Sequence, residues 1–326
     1  MKWVVNKAAV LGAGVMGAQI AAHLANARVP VVLFDLPAKD GDKNGVVKKA
    51  LDGLKRLQPS PLVSRDTLQY IDAANYEEHL ALLSGCDLII EAIAERMDWK
   101  NELYARIAPF VTPGTVLASN TSGLSINGLA EALPAVLRPN FCGIHFFNPP
   151  RYMPLVEIIP TRDSAPAMLD GLETWLTTRL GKGVVRALDT PNFVANRIGV
   201  FSILAVMHHA TAFGLGFDTV DALTGPKIGR PRSATYRTGD VVGLDTLAHV
   251  VNTMRDALPD DPWHAFFTLP GWLDGLIARG ALGQKTKAGI YRKQGKAIEV
   301  FDPSMGDYRA SDDALSAEVA AILKLA

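Results

Sequence analysis

The chain has 326 residues, 48% of them hydrophobic and 20% charged, with 33 Lys+Arg balanced by 33 Asp+Glu. So much apolar side chain excludes a disordered protein, and the length suits two domains. A net charge of zero excludes a whole-protein basic field for nucleic acid, so any anion site must be local.

Strand-like and helix-like segments alternate up to residue 190, which predicts βαβ units on a mostly parallel sheet. An apolar strand at 8–11 runs into glycines, and a helix follows at 16–27. A strand is expected at 30–35, then a polar, partly helical stretch at 36–65. A short helix at 76–83 precedes a strand at 86–93 and an amphipathic helix at 98–110. Strands are expected at 115–119, 141–147 and 155–159, a long helix at 165–180, and a last strand at 184–187. The character changes after Asp189-Thr190-Pro191. Helix-like stretches follow at 193–213, 218–223, 241–256 and 273–278, and no β-alternation appears before Ile290. The expected architecture is α/β: a Rossmann-like, doubly wound, mostly parallel sheet over 1–190, then an all-α domain over 191–326.

Cys86 and Cys142 lie in apolar strand-like runs, which predicts reduced, buried thiols in a reducing compartment. No Cys/His spacing points to a metal. No apolar run reaches the roughly 18 residues that a membrane span needs. The apolar N-terminal stretch imitates a secretory signal, but its glycine spacing has another explanation, and a cytoplasmic location is expected.

That explanation is Gly12-Ala13-Gly14-Val15-Met16-Gly17, a G-x-G-x-x-G between a strand and a helix. In this context Gly12 makes the tight turn, Gly14 lets the backbone approach a pyrophosphate, and Gly17 lets helix and strand pack closely. The helix N-terminus offers free N–H groups to phosphates. Asp35 ends the next strand 18 residues after Gly17, where a carboxylate accepts from both ribose hydroxyls and repels a 2′-phosphate. The pattern predicts NAD rather than NADP. The bland alternative is a glycine turn with an Asp helix cap.

Three further places hold polar groups where chemistry could sit. Ser119-Asn120-Thr121-Ser122 follows a strand and reads either as a ligand loop or as a self-satisfied turn. His145 lies among aromatics and reads either as a core histidine or as the partner of Glu157, a carboxylate inside the apolar run Leu155-Val156-Glu157-Ile158-Ile159. A buried Glu–His pair fixes the imidazole tautomer, as a general base requires. Asn196, at the start of the 193–213 helix, reads either as a capping side chain or as a ligand contact.

Together the runs VLGAGVMG, IIEAIAE, ASNTSGLSI, GIHFFNPP, LVEIIP, DTPNFVANR, GPKIGRP, DVVGLD and GQKTKAGIY resemble the L-3-hydroxyacyl-CoA dehydrogenase family of fatty-acid β-oxidation. The resemblance implies NAD-dependent oxidation of (S)-3-hydroxyacyl-CoA to 3-oxoacyl-CoA. It makes His145 the base, Glu157 its orienting partner, and Ser122 and Asn196 the hydrogen-bond partners of the reacting oxygen. It assigns cofactor contacts to Gly12, Gly14, Met16, Gly17, Asp35, Glu95, Lys100, Ser122 and Asn148, with Lys285 a weaker match. Lys100 falls five residues after Glu95; its alternative is an ordinary exposed helix lysine. The family commonly dimerises through its helical domain. Stand-alone members usually end soon after the motif around Lys285 to Arg292, whereas this chain runs on to Ala326. The GPKIGRPRSATYRTGDVVGLD run resembles the subgroup fused to an enoyl-CoA hydratase. The resemblance implies either the dehydrogenase portion of a longer multifunctional protein, its helical surface packing on the fused parts, or a close stand-alone relative.

Seven basic residues against three acidic ones in 36–65 suit the phosphates of coenzyme A as well as a solvated helix face. Arg230, Arg232 and Arg237 form a second candidate patch, unless they pair with Asp240 or Asp245. Rival readings are another NAD-linked hydroxyacid or polyol dehydrogenase, a non-catalytic NAD-binding sensor, and a partner-binding module.

Overall fold

Apolar runs of four to six residues, too short for helices, form the central sheet of the N-terminal unit. The computed structural model describes residues 3–311 and 317–325, and the chain divides into units Met1–Val194 and Ala195–Ala326. In the first unit the elements run β1 (Ala8–Leu11), α1 (Val15–Asn26), β2 (Val31–Asp35), α2 (Gly45–Leu54), β3 (Ile71–Asn75), β4 (Leu88–Glu91), α3 (Met97–Ile107), β5 (Val116–Ser119), α4 (Ile126–Glu131), β6 (Phe141–Phe146), β7 (Leu155–Pro160), α5 (Pro166–Leu180) and β8 (Gly183–Arg186). Among the described residues they build one eight-stranded sheet, ordered β3-β2-β1-β4-β5-β6-β7-β8. All neighbours are parallel except β6 and β7.

Alternation along each strand divides the sheet's two faces. Ala8 and Val10 pack with Ile20 and Leu24 of α1 and with Leu172 and Leu176 of α5. Ala9 and Leu11 pack with Leu103 and Ile107 of α3 and with Ile126 and Leu129 of α4. Helices therefore cover both faces, as a parallel sheet needs. The strand order reverses between β1 and β4, so a crevice opens at their carboxyl ends, where doubly wound sheets bind ligands. Both cysteines are buried and free; burial pushes the Cys86 thiol up to about 11 and Cys142 up to about 12.

Here the structure adds one element absent from the expectations drawn from the sequence and corrects another. Residues 71–75 form the edge strand β3. The turn of helix expected at 76–83 is a 3-10 turn at Leu80–Gly85. Within 36–65 only Gly45–Leu54 is α-helical, and several of its cations are paired: Lys43 with Glu77 and Glu78, Lys48 with Asp42, and Lys55 with Asp52.

The second unit runs α6 (Ala195–Ala212), α7 (Phe217–Leu223), α8 (Tyr236–Val242), α9 (Leu244–Ala257), α10 (Gly271–Ala278), β9 (Tyr291–Gln294), β10 (Ala297–Asp302), β11 (Asp307–Ala310) and α11 (Ala317–Leu325). It is helical, as expected, up to β9, and the chain then adds a three-stranded antiparallel sheet that the all-helical expectation omits. Two buried carboxylates organise its core. Asp221 accepts from the backbone N–H of Thr235, Tyr236 and Arg237, and Asp240 from those of Ile290 and Tyr291. Among the described residues, the alternative pairing of Arg230, Arg232 and Arg237 with Asp240 or Asp245 forms no ion pair. Arg237 stacks on the Tyr291 ring and approaches Asp221 at 3.9 Å, and Asp245 holds Lys285. Among the described residues no helix is long and apolar enough to cross a membrane.

Candidate active site

The glycine turn follows β1 at the crevice. Gly12 has φ +101°, and a Cβ there would come within 2.8 Å of the Ala92 carbonyl oxygen; a Cβ on Gly17 would come within 1.8 Å of the Gly12 carbonyl oxygen. Only glycine allows so close an approach of helix and strand. Around Gly14, by contrast, the space is open. Gly14 caps α1 without a side-chain hydrogen bond, and the first turn carries no acidic residue. Its N–H groups thus face the crevice with a positive dipole end. Met16, in that turn, packs partly on the α1 core. Asp35 ends β2, where its carboxylate accepts from Ala13 N at 2.6 Å and Leu36 N at 2.7 Å. It therefore lies beside the glycine turn, where a ribose of a dinucleotide would lie. Asn148 joins the same region through Gln19 of α1, which donates to its Oδ1 at 3.2 Å. The open backbone, uncapped helix end and carboxylate together fit an NAD pyrophosphate and ribose.

A second cluster sits where β4 and β5 end. Glu91, fully buried, accepts from Lys100 Nζ at 2.5 Å, Ser119 Oγ at 2.6 Å, Ile93 N at 2.7 Å and Tyr104 OH at 3.0 Å. Lys100 is buried too, so its expected alternative as an exposed helix lysine is wrong. A buried carboxylate requires a partner, and Lys100 provides it while lying 3.8 Å from Glu95. Glu95 Oε1 in turn accepts from Thr121 Oγ1, Ser122 N at 2.8 Å and Gly123 N at 3.1 Å. Glu95 and Lys100 thus fix the loop that presents Ser122. Asn120 Oδ1 accepts from Phe146 N at 2.9 Å and ties this loop to the end of β6.

The third cluster follows from strand register. The antiparallel pairing of β6 and β7 sets His145 opposite Glu157, both buried. His145 Nδ1 lies 2.7 Å from Glu157 Oε2. An ionised carboxylate only accepts, so this contact puts a proton on Nδ1 and, in the neutral imidazole, leaves the lone pair on Nε2. Glu157 Oε1 also accepts from Val194 N at 2.9 Å. Phe147 and Phe193 flank the ring, 4.4 and 5.7 Å away between centroids. A buried imidazole oriented through Nδ1, with Nε2 in no hydrogen bond to the described residues, is suited to taking a proton from an alcohol.

Asn196 and Lys285 belong to the second unit. Asn196 is partly buried in the first turn of α6. Lys285 is exposed, its ammonium held by both Asp245 oxygens at 2.6 Å. Sequence reasoning did not single out Glu91, Gln19, Asn192 or Asp189. Glu91 offered the signal that pointed to Glu157, a carboxylate inside an apolar strand. Asp189 accepts from Ser125 Oγ, Ile126 N and Asn127 N, fixing the start of α4 and of the segment that ends at Val194.

The family model for the 3-hydroxyacyl-CoA dehydrogenase NAD binding domain matches residues 7–190, and that for the family's C-terminal domain matches 193–293. A Bacillus subtilis protein named "Probable 3-hydroxyacyl-CoA dehydrogenase" is 40% identical over 92% of this chain, which spans 40% of that protein. A Deinococcus radiodurans protein of the same name is 41% identical over 89% of the chain and is spanned over 83% of its length. Among solved structures, M. tuberculosis FadB2 superposes with TM-score 0.74 at 30% identity, over 90% of this chain and 100% of that one.

Proposed function

Because the chain belongs to the 3-hydroxyacyl-CoA dehydrogenase family, we propose that it oxidises the 3-hydroxyl of a 3-hydroxyacyl-CoA thioester with NAD, in fatty-acid oxidation. The observation that carries this reading is the buried His145–Glu157 pair. When bound, NAD supplies the acceptor for the hydride that leaves C3. His145 Nε2 takes the hydroxyl proton as the C–O bond gains double-bond character. Glu157 holds the tautomer and stabilises the imidazolium, and the same pair returns the proton in the reverse direction. Ser122, on the loop braced by Glu95, hydrogen-bonds the C3 oxygen, and the family resemblance alone assigns Asn196 of the second unit to the same oxygen. Gly12, Gly14, Met16, Gly17, Asp35 and Asn148 hold the dinucleotide. Phe147 and Phe193 keep water from the base.

The test is NADH oxidation with acetoacetyl-CoA, on wild type and His145→Ala side by side. Wild type should turn over, and the variant should lose about 10²-fold or more in kcat while still binding NADH. Equal rates would remove His145 as the base. Turnover of simple hydroxy acids in preference to the CoA thioester would favour the hydroxyacid dehydrogenase reading. A folded wild type that binds NADH and turns over neither would favour the sensor.

A further inference from the structure

Asn192 is a buried polar residue that the chemistry above leaves unused. It is 3% exposed, and its Nδ2 has no hydrogen-bond partner among the described residues. Native proteins rarely leave a buried amide unpaired, because its desolvation is then uncompensated. Its backbone is unusual as well: Asn192 and Phe193 have φ of +59° and +53°, a region where consecutive non-glycine residues are uncommon. Such conformations persist where the surroundings over-determine them, commonly at ligand sites. Asp189 anchors the segment at one end, and Val194 N, bonded to Glu157, anchors it at the other. The amide lies against the Ser122 loop: a Cβ built on Gly123 would lie 3.4 Å from Asn192 Oδ1. Its neighbour Phe193 packs on the His145 ring. A donor without a partner among the described residues thus sits beside the Ser122 loop, next in sequence to the ring that packs on His145.

We propose that Asn192 Nδ2 donates a hydrogen bond to the C1 thioester carbonyl of the acyl-CoA substrate. The inference rests on the functional reading above. In a 3-hydroxyacyl or 3-oxoacyl thioester the C1 carbonyl oxygen stands two carbons from the reacting C3. A donor beside the groups that serve the C3 oxygen is therefore placed to serve C1. The contact pairs the orphaned amide and selects a 3-oxygenated thioester over a simple ketone or alcohol. It explains why an asparagine occupies a position whose φ favours glycine.

Asn192→Gly tests this, since glycine adopts positive φ freely and removes only the amide. We expect kcat/KM for acetoacetyl-CoA to fall about 10-fold, with KM for NADH and the melting temperature unchanged. With S-(3-oxobutyl)-CoA, a thioether that keeps the C3 ketone and lacks the C1 carbonyl, the variant should match wild type. Equal losses on both substrates, no loss on acetoacetyl-CoA, or a raised KM for NADH would each overturn the assignment. Asn192→Asp, which tolerates the same backbone and replaces the donor with an acceptor, should show the same loss and covers a glycine variant that folds poorly. A wild type inactive on acetoacetyl-CoA would instead bring down the functional reading itself, a result separable from an active wild type with an indifferent Asn192→Gly.

Discussion

Two buried carboxylates, Glu91 and Glu157, show how burial assigns different work to one side-chain type. Glu91 is surrounded by donors from Lys100, Ser119, Tyr104 and Ile93. Its charge is neutralised in place, and the pair braces the end of β4. Glu157 faces an imidazole, His145, whose other nitrogen is the one assigned the proposed proton transfer. The two sites should therefore fail differently. Lys100→Ala leaves a buried carboxylate uncompensated and should destabilise the fold by about 3–5 kcal/mol. Adding Glu91→Gln should recover much of that loss, and denaturant melts of the single and double variants check it. Glu157→Gln can still accept from Nδ1–H but no longer offsets an imidazolium. It should lower kcat by at least about 10-fold with KM for NADH little changed. A Glu157→Gln enzyme with wild-type kcat would make that carboxylate purely structural.

At the scale of elements, what could be read from the sequence depended on whether a segment's own pattern or a distant partner decides its structure. The apolar runs of β1, β2, β4 and β6 announce buried parallel strands because both faces are covered. β3 does not: IDAAN carries Asp72 and Asn75, and only pairing with β2 makes it a strand. The β9–β11 sheet is similarly obscured, since YRKQ and DYRA are mostly polar and gain their order from β10 between them. In the site, the cost of burying Glu157 in an apolar run pointed to a partner, and His145 was the candidate. The register that sets them opposite, and the left-handed backbone at Asn192 and Phe193, come from long-range packing and leave no local signature. The glycine turn is the converse case, because sterics at 1.8 Å are local and severe. Gly17→Ala should push α1 off β1 and weaken NADH binding by about 10-fold or more, with a lowered melting temperature. Fluorescence titration of NADH checks this, and wild-type affinity in a normally folded variant would contradict the close approach assigned to that position.

For the molecule as a whole, zero net charge near neutrality means that no general repulsion sets its pH limits, so single buried groups matter more. His23 of α1 is such a group. Its ring is nearly buried beside Phe146, and neither nitrogen has a hydrogen-bond partner among the described residues. Burial first, then the charges of Lys182 and Arg151, lower it from 6.5 to about 4. In the folded state it is therefore neutral at pH 5, while in the unfolded chain it takes a proton below pH 6.5. Stability from this group is fully present above pH 6.5. It drains away as pH falls towards 4, because acid then pays out protons to the unfolded state alone. The loss by pH 5 is about 2 kcal/mol, or roughly 4–8 °C in melting temperature for a unit of this size. His23→Leu forfeits no hydrogen bond to the described residues, since the ring makes none with them, and removes the titration. Comparing melting temperatures at pH 7 and pH 5 in both proteins cancels every other titrating group they share. The wild type should lose more on acidification than the variant by that margin. Equal losses would mean that His23 is hydrated or protonated in the native protein and that its burial does not govern acid stability.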